Sequence, residues 1–223
     1  MLRSLEAFAD PARLEGMARV GIDTNTALGV TVTELRRLGR SLGRDHALAA
    51  ELWASGIHDA RILASIVDDP EAVTKRQMES WVRGFGSWDL CDQVCMNLFD
   101  RTPFAFEKAL EWSAREPEFE KRAGFAIMAS AAVHRKDRPD RDFHAFLPRI
   151  RAEATDERNY VKKGVSWALR QIGKRSAGLH AKALATAHRI EAIDAPPARW
   201  IARDVLRELE SPAVRQRLAR AAR

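Results

Sequence analysis

The chain has 223 residues, 46% of them apolar and 30% charged, a composition that is ordinary for a folded globular protein and excludes disorder as the main state. Two cysteines, Cys91 and Cys95, are too few for a disulfide framework, and no uncharged apolar run approaches the roughly 20 residues that cross a bilayer. The amino terminus carries charges where a signal peptide has an apolar core, so a cytoplasmic protein with no membrane segment is predicted.

The charge balance is basic. The chain has 37 basic and 31 acidic residues, which give a formal net charge of +6, and arginine far outnumbers lysine. Arginine binds phosphate through a bidentate fork that lysine lacks, so nucleic acid is a partner that fits this composition. A GC-rich genome enriches arginine as well, and composition therefore suggests nucleic acid without selecting it.

Helix signals begin near the amino terminus and recur along the chain. Asp10 before Pro11 is typical of an N-cap followed by proline in the first helical turn. Thr31 and Thr74 are each followed three residues later by Glu or Gln, which is the pattern of a capping box. Further helices are predicted at residues 104–115, from Pro117 through 132, and at 141–154, 157–173, 177–193, 197–210 and 212–222.

Strand signals are nearly absent, because the chain has one tyrosine and no Asn-Gly or Asp-Gly turn. The fold class predicted is all-α. Four segments share a small-residue-rich helix followed by a short turn, at a spacing of about 40 residues; they are residues 45–69, 74–99, 117–136 and 157–174. This favours HEAT-like antiparallel helical hairpins stacked into a curved α-solenoid, as a single domain over residues 1–223, rather than a globular bundle.

The first candidate functional motif lies in residues 80–100, SWVRGFGSWDLCDQVCMNLFD. Ser87 is a good N-cap, so a helix is predicted from Trp88 to Leu98. Because residues four apart share a helix face, Trp88 and Asp92 present an indole and a carboxylate together. The alternative is that Trp88 packs in the core and Asp92 only complements the helix dipole.

Two further motifs are basic. In residues 161–170, VKKGVSWALR, Lys163, Trp167 and Arg170 fall on one helix face, which suits a phosphate backbone with an aromatic ring beside it. A solvated face of long side chains is the alternative. In residues 119–129, FEKRAGFAIMA, Lys121 and Arg122 sit early in a helix where cations oppose the helix dipole, and phosphate binding is one reason for them.

The motifs SWDLCDQVC, FEKRAGFA and KKGVSWALR, in this order and spacing, resemble those of the AlkD family of DNA glycosylases. The resemblance includes the upstream stretches GVTVTELRRLGR and LWASGIHDARILA and covers nearly the whole chain from about residue 15 to 175. By position, Trp88 and Asp92 match the family's catalytic pair. Trp167 matches its second active-site tryptophan, and Arg122 matches its backbone-contacting arginine. Ser87 departs from the family, in which a second aromatic residue often precedes the catalytic tryptophan.

The resemblance implies a monofunctional glycosylase that excises positively charged N3- and N7-alkylated purines from duplex DNA on a basic, concave face. Asp92 would stabilise the developing oxocarbenium and position water, while Trp88 and Trp167 would hold the deoxyribose and the lesion. A monomer in the cytoplasm, associated with the nucleoid, with no metal and no organic cofactor, is the expectation. The residues predicted to bind DNA are Arg122, Lys163 and Arg170.

Three other hypotheses stay open at this point. The first is a HEAT-like protein that binds distorted or branched DNA without excising anything. The second is a metal-dependent phosphohydrolase built on the dipeptide His58-Asp59, and the third is a zinc site that uses Cys91 and Cys95, for which buried structural thiols are the better interpretation. The remaining tryptophans are predicted to pack in the core or between hairpins; they are Trp53, Trp81, Trp112 and Trp200.

Overall fold

The structure, a computed structural model, describes residues 2–221, and every regular element in that range is a helix. The all-α prediction is therefore confirmed. The chain divides into two compact units, Met1–Phe104 and Ala105–Arg223, and each has its own buried core.

Within residues 2–221, no helix combines the length and the apolar character that a membrane crossing requires.

The first unit contains seven α-helices within its described residues. They are α1 (Leu2–Glu6), α2 (Leu14–Arg19), α3 (Val32–Leu42), α4 (His46–Ala54), α5 (His58–Val67), α6 (Lys75–Val82) and α7 (Trp88–Asn97). Local capping explains where several of them begin. The hydroxyl of Thr31 accepts the amide N–H of Glu34 at 3.1 Å, and Thr74 caps α6 in the same way, as predicted. Asp10 caps a single 3-10 turn, Pro11–Arg13.

The core of the first unit is built around stacked aromatic rings. The rings of Trp53 and Trp81 are 4.1 Å apart and nearly parallel, and the guanidinium of Arg61 lies 5.0 Å from the Trp53 ring. Phe85 and Phe99 close the cluster at 6.2–6.3 Å. Since α4 and α5 pack together across a short turn, they form an antiparallel hairpin, and α5 also packs on α3 and α7.

The second unit also contains seven α-helices within its described residues. They are α8 (Ala105–Trp112), α9 (Glu118–His134), α10 (Phe146–Ala152), α11 (Asn159–Gly173), α12 (Ala177–Glu191), α13 (Pro196–Leu209) and α14 (Pro212–Ala221). Within this unit α11 lies between α9 and α13 in one row. A second row packs beneath it, with α8 against α9, α10 against α11, and α12 against both α11 and α13. The predicted end of the last helix, residue 222, lies outside the described residues.

The α8–α9 hairpin packs so closely that one position must be glycine. A Cβ added to Gly124 would lie 2.4 Å from the backbone nitrogen of Ser113 and 2.7 Å from the carbonyl oxygen of Ala109. Both obstacles are backbone atoms, which cannot rotate away. Gly124 therefore sets the distance between the two helices.

Two predictions are wrong, each for a physical reason. The helix predicted at residues 141–154 is instead a 3-10 helix, Asp140–Ala145, followed by α10. Pro148 has no N–H to donate to the carbonyl of His144, so the α-helix begins just ahead of the proline. Of the four tryptophans predicted to be packed inside, three are buried, but Trp200 is 38% exposed, and the Nζ atom of Lys162 lies 4.9 Å from its ring.

Candidate functional site

The start of α7 places the predicted indole and carboxylate one turn apart on one helix. The Nε1–H of Trp88 donates to the carbonyl oxygen of Val20 at 2.9 Å, so the segment after α2 fixes the orientation of the half-buried ring. Asp92 is only 8% exposed. Ser87 begins the helix with extended backbone as predicted, but its hydroxyl does not cap it; it donates to the side chain of Asp89 at 2.6 Å.

A histidine that the sequence suggested for another role supports this helix start. The Nε2 atom of His58 lies 2.8 Å from Oδ2 of Asp89, and His58 is 5% exposed. Burial opposes the charged ring, but the hydrogen bond and the negative charge of Asp89 outweigh it and raise the pKa of His58 above 6.5. Burial likewise opposes the charged form of Asp89, and the bond from His58 still lowers the pKa of that carboxyl below its ordinary value.

Asp59, the second residue of the same dipeptide, anchors the chain that precedes α3. Its two carboxylate oxygens accept the backbone N–H groups of Leu28 at 2.6 Å and Val30 at 2.8 Å. The backbone N–H of His58 also donates to the carbonyl of Thr26 at 3.1 Å. The dipeptide therefore acts as a clamp between the amino-terminal segment and α7. No local signal identified this role, because the partners lie about 30 residues away along the chain.

A cavity of about 220 Å³ opens beside the indole of Trp88. Asp89 and Gln93 of α7 line it together with His58, Asp59 and apolar side chains of the amino-terminal segment. Asp92 is not part of this lining. The cavity thus adjoins the clamp residues His58, Asp59 and Asp89, and the carboxylate of Asp92, the predicted catalytic group, does not line it.

Neither metal hypothesis finds a set of ligands in the described part of the chain. Among residues 2–221 there is no group of three or more His, Cys, Asp or Glu side chains placed to hold a metal ion. Cys91 and Cys95 are fully buried on α7, and burial raises the pKa of the Cys95 thiol well above its ordinary value. Such thiols are core residues.

In the second unit, α11 has the two faces that its sequence predicts. Val161, Val165, Ala168 and Leu169 are fully buried. On the other face Lys163 is exposed and Trp167 is half-buried. Lys163 has no carboxylate within ion-pair distance among the residues that the structure describes.

Arg170, the third residue of that face, is engaged inside the unit. Its guanidinium lies 2.5 Å from Glu208 and 3.4 Å from Asp204, both of α13. Glu208 also pairs with Lys174. Part of the charge of Arg170 is therefore neutralised by the neighbouring helix.

The basic pair at the start of α9 is buried. Arg122 is 6% exposed and donates from Nη1 to the carbonyl oxygen of Tyr160 at 2.5 Å, which joins α9 to the first turn of α11. Lys121 lies 2.9 Å from Glu153 and 3.4 Å from Asp156. These two acids offset the unfavourable position of Lys121 near a helix start, so the structure supplies an internal reason for that cation.

The predicted residues thus fall into two sets. Trp88 and Asp92 belong to the first unit, whereas the cationic residues and Trp167 belong to the second.

A solved structure with 20% sequence identity matches 93% of this chain and 94% of its own, with a TM-score of 0.77. It is described as "A new family of proteins related to the HEAT-like repeat DNA glycosylases with affinity for branched DNA structures". The fold is accordingly that of a HEAT-like repeat protein, as predicted from the hairpin spacing.

Sequence comparison identifies the family. The sequence model of the family described as "DNA alkylation repair enzyme" matches residues 1–209, so the chain belongs to that family. It is also 24% identical over 187 residues to the uncharacterized protein Lin0241 of Listeria innocua, and the match covers 82% of this chain and 81% of the relative.

Proposed function

We propose that the protein is a monofunctional DNA glycosylase that excises positively charged N3- and N7-alkylated purines from duplex DNA. The observation that carries this proposal is the arrangement on α7, where a carboxylate, Asp92, follows an indole, Trp88, by one helical turn. The hydrogen bond from Trp88 to Val20 holds the indole in one orientation, which is the preorganisation that a reactive site needs. Membership of the DNA alkylation repair family supports the same interpretation.

Excision of a cationic purine requires few catalytic groups from the protein. An N3-alkylated adenine or N7-alkylated guanine already carries a positive charge, so its glycosidic bond is weakened and no general acid is needed to expel the base. The developing oxocarbenium requires an anion. A carboxylate about 4 Å from the sugar stabilises a unit positive charge by ~4 kcal/mol at an effective dielectric of about 20. That energy corresponds to roughly three decades in rate.

In this proposal Asp92 supplies that anion and also orients the attacking water. Because Val20 occupies the N–H of Trp88, the indole offers its ring face, which attracts a cationic base or sugar by ~0.5–2 kcal/mol. Trp167 would supply the second ring. Lys163 contacts a DNA phosphate directly, and Arg122 and Arg170 contribute positive potential from α9 and α11. The reaction uses no metal and no organic cofactor, and a single copy of the chain carries it out.

Release of N7-methylguanine from methylated duplex DNA by the purified protein tests the proposal. With the protein in excess over the DNA, we expect the methylated base to be released in a single exponential phase, with an abasic strand as the other product. If no base were released while the protein still bound the duplex, the glycosylase proposal would fail.

A non-catalytic protein that binds distorted or branched DNA is the second candidate. The observation in its favour is the 8% exposure of Asp92, which leaves little of the carboxylate open to a sugar. The solved relative described as having affinity for branched DNA structures supports it as well. This candidate predicts tighter binding to a four-way junction than to a linear duplex, without any release of base.

A further inference from the structure

The second unit carries a basic groove on helices that the proposed reaction does not use. It has a volume of about 330 Å³ and lies between α10 and α12. Arg151 at the end of α10 and two residues of α12, Lys182 and Arg189, supply its charge, and His144 lies at one side. Among residues 2–221, no carboxylate lines the groove.

These three cations differ from most others in the unit. Arg175 pairs with Asp140 and Arg149 with Glu153, but Arg151, Lys182 and Arg189 are exposed and have no carboxylate within ion-pair distance among residues 2–221. Like charges within a Debye length of about 8–10 Å repel one another. A groove that gathers unmatched cations is therefore complementary to a polyanion.

The spacing of the cations indicates what kind of polyanion fits. Lys182 and Arg189 are seven residues apart on α12, so they share one face and are separated by about 10 Å along the helix axis. One strand of B-DNA carries a phosphate every 3.4 Å or so of its axis, so a stretch of that length presents about three phosphates. Two cations at that distance, with Arg151 lining the same groove, fit a run of phosphodiesters better than a single phosphate ion.

The groove and the surface on which α11 presents Lys163 and Trp167 belong to different rows of helices. The face of α12 that contains Ala183 and Ala187 is buried, and α12 packs on α11 and α13. Lys182 and Arg189 are on its exposed side, whereas Lys163 is on the exposed side of α11, in the other row of helices. Because α12 packs its buried face on α11, we infer that the exposed sides of the two helices point away from their shared interface, so one straight duplex is not expected to contact both sets of cations.

We propose that the groove formed by Arg151, Lys182 and Arg189 binds the phosphate backbone of a second DNA segment while the α11 face binds the first. This inference rests on the proposed function only in assigning the first segment to α11. A bent or branched DNA supplies two such segments in one molecule. Arg151 and Arg189 provide bidentate donors to phosphate oxygens, and Lys182 adds a point charge.

A double charge reversal, Lys182→Glu with Arg189→Glu, tests the proposal. The matched control is Arg36→Glu with Arg40→Glu, two exposed arginines of α3 that change the net charge by the same amount. Fluorescence anisotropy then measures the Kd of each protein for a four-way junction and for a linear duplex of the same arm sequence. Base release from a methylated linear duplex is measured in parallel. All four substituted residues are exposed, so melting temperatures should stay close to that of the wild type.

We expect the groove variant to bind the junction at least about tenfold more weakly than the control does, with a salt slope lower by about two. Its affinity for the linear duplex and its base release should match those of the control. Equal losses on junction and duplex would overturn the proposal, as would unchanged junction binding. If wild-type protein releases no base, the glycosylase proposal fails while this comparison remains decisive.

Discussion

In the first unit, the carboxylate of Asp59 accepts backbone N–H groups and that of Asp89 contacts His58, at 2.6–2.8 Å and largely shielded from solvent. In the second unit, by contrast, the carboxylate of Glu208 pairs with Arg170 at a partly exposed site. Acids of the first kind position chain segments. Acids of the second kind neutralise the cations that they pair with, so that cations without such a partner contribute most to the binding of an external anion. The same residue types therefore serve geometry in one unit and electrostatic selection in the other.

This difference suggests that reaction and affinity are separable by mutation. The α7 motif is fixed through Trp88 and the His58 clamp, so changes there should affect the chemical step or the folding of the first unit. In the second unit, cations without a carboxylate partner, such as Lys163, should govern affinity and its dependence on salt.

The largest effect is expected for Asp92→Asn, which keeps shape and removes the negative charge. Single-turnover release of N7-methylguanine should fall by roughly two to three decades, because the oxocarbenium loses its anion. Duplex affinity should stay equal or rise, since an anion near phosphates is gone. Proportional losses of excision and affinity would make Asp92 a structural residue. Asp89→Asn, one turn earlier on α7, is the control and should lower stability more than the chemical rate constant.

A stability comparison tests the two uses of carboxylates directly. Asp59→Asn removes one of two acceptors for the N–H groups of Leu28, which is half-buried, and Val30, which is buried, and should lower the free energy of unfolding by about 2–3 kcal/mol. Glu208→Gln removes an ion-pair partner that is partly exposed and should cost less than about 1 kcal/mol. Urea unfolding followed by far-ultraviolet circular dichroism measures both. Similar losses of unfolding free energy in the two variants would show that the two carboxylates stabilise the fold to the same extent.

The clamp should also make stability depend on pH. The pKa of His58 is raised in the fold, so its contribution is complete below about 6.5 and disappears as pH rises through the folded-state pKa. The pKa of Asp89 is lowered, so its contribution is complete above 3.8 and disappears as pH falls through its folded-state value. The pair therefore stabilises most between about pH 4 and 6.5.

The measurement is the difference in unfolding free energy between wild type and His58→Asn at pH 5.5 and pH 8.5. We expect it to be smaller at the higher pH, because the ring is then neutral and the charged pair with Asp89 is lost. His188→Asn, at an exposed pair with Glu191, should show little change and serves as the control. A His58 effect of the same size at both pH values would mean that packing, and not the ion pair, carries the clamp.

Local signals predicted much of the fold. The capping residues Thr31 and Thr74 and the proline at 117 mark helix starts that the structure confirms, because each acts within four residues of itself. The buried face of α11 followed from its apolar period. The break before Pro148 was missed, although the missing N–H of proline offered a signal.

Long-range partners could not be predicted from the chain. His58 is paired with a residue 31 positions away, and Arg170 with one 38 positions away, and no local pattern identifies such a partner. The exposure of Trp200 depends on which face of α13 packs against its neighbours, and tertiary packing determines that face. Sequence reasoning thus found which side chains share a helix face, and only the structure gives what each one contacts.

The smallest effect, and the finest test of the comparison, concerns the salt dependence of duplex binding. Lys163→Ala removes an exposed cation that has no carboxylate partner among the described residues, so the salt slope should fall by about one, the value for a single phosphate contact. Arg170→Ala should lower the slope by less than one, because Glu208 and Asp204 already neutralise part of that charge. Anisotropy titrations over a range of salt concentrations give both slopes. If Arg170→Ala lowered the slope as much as Lys163→Ala, pairing with Glu208 and Asp204 would not reduce the contribution of Arg170 to DNA binding. The acids of the second unit would then not determine which of its cations contact phosphate.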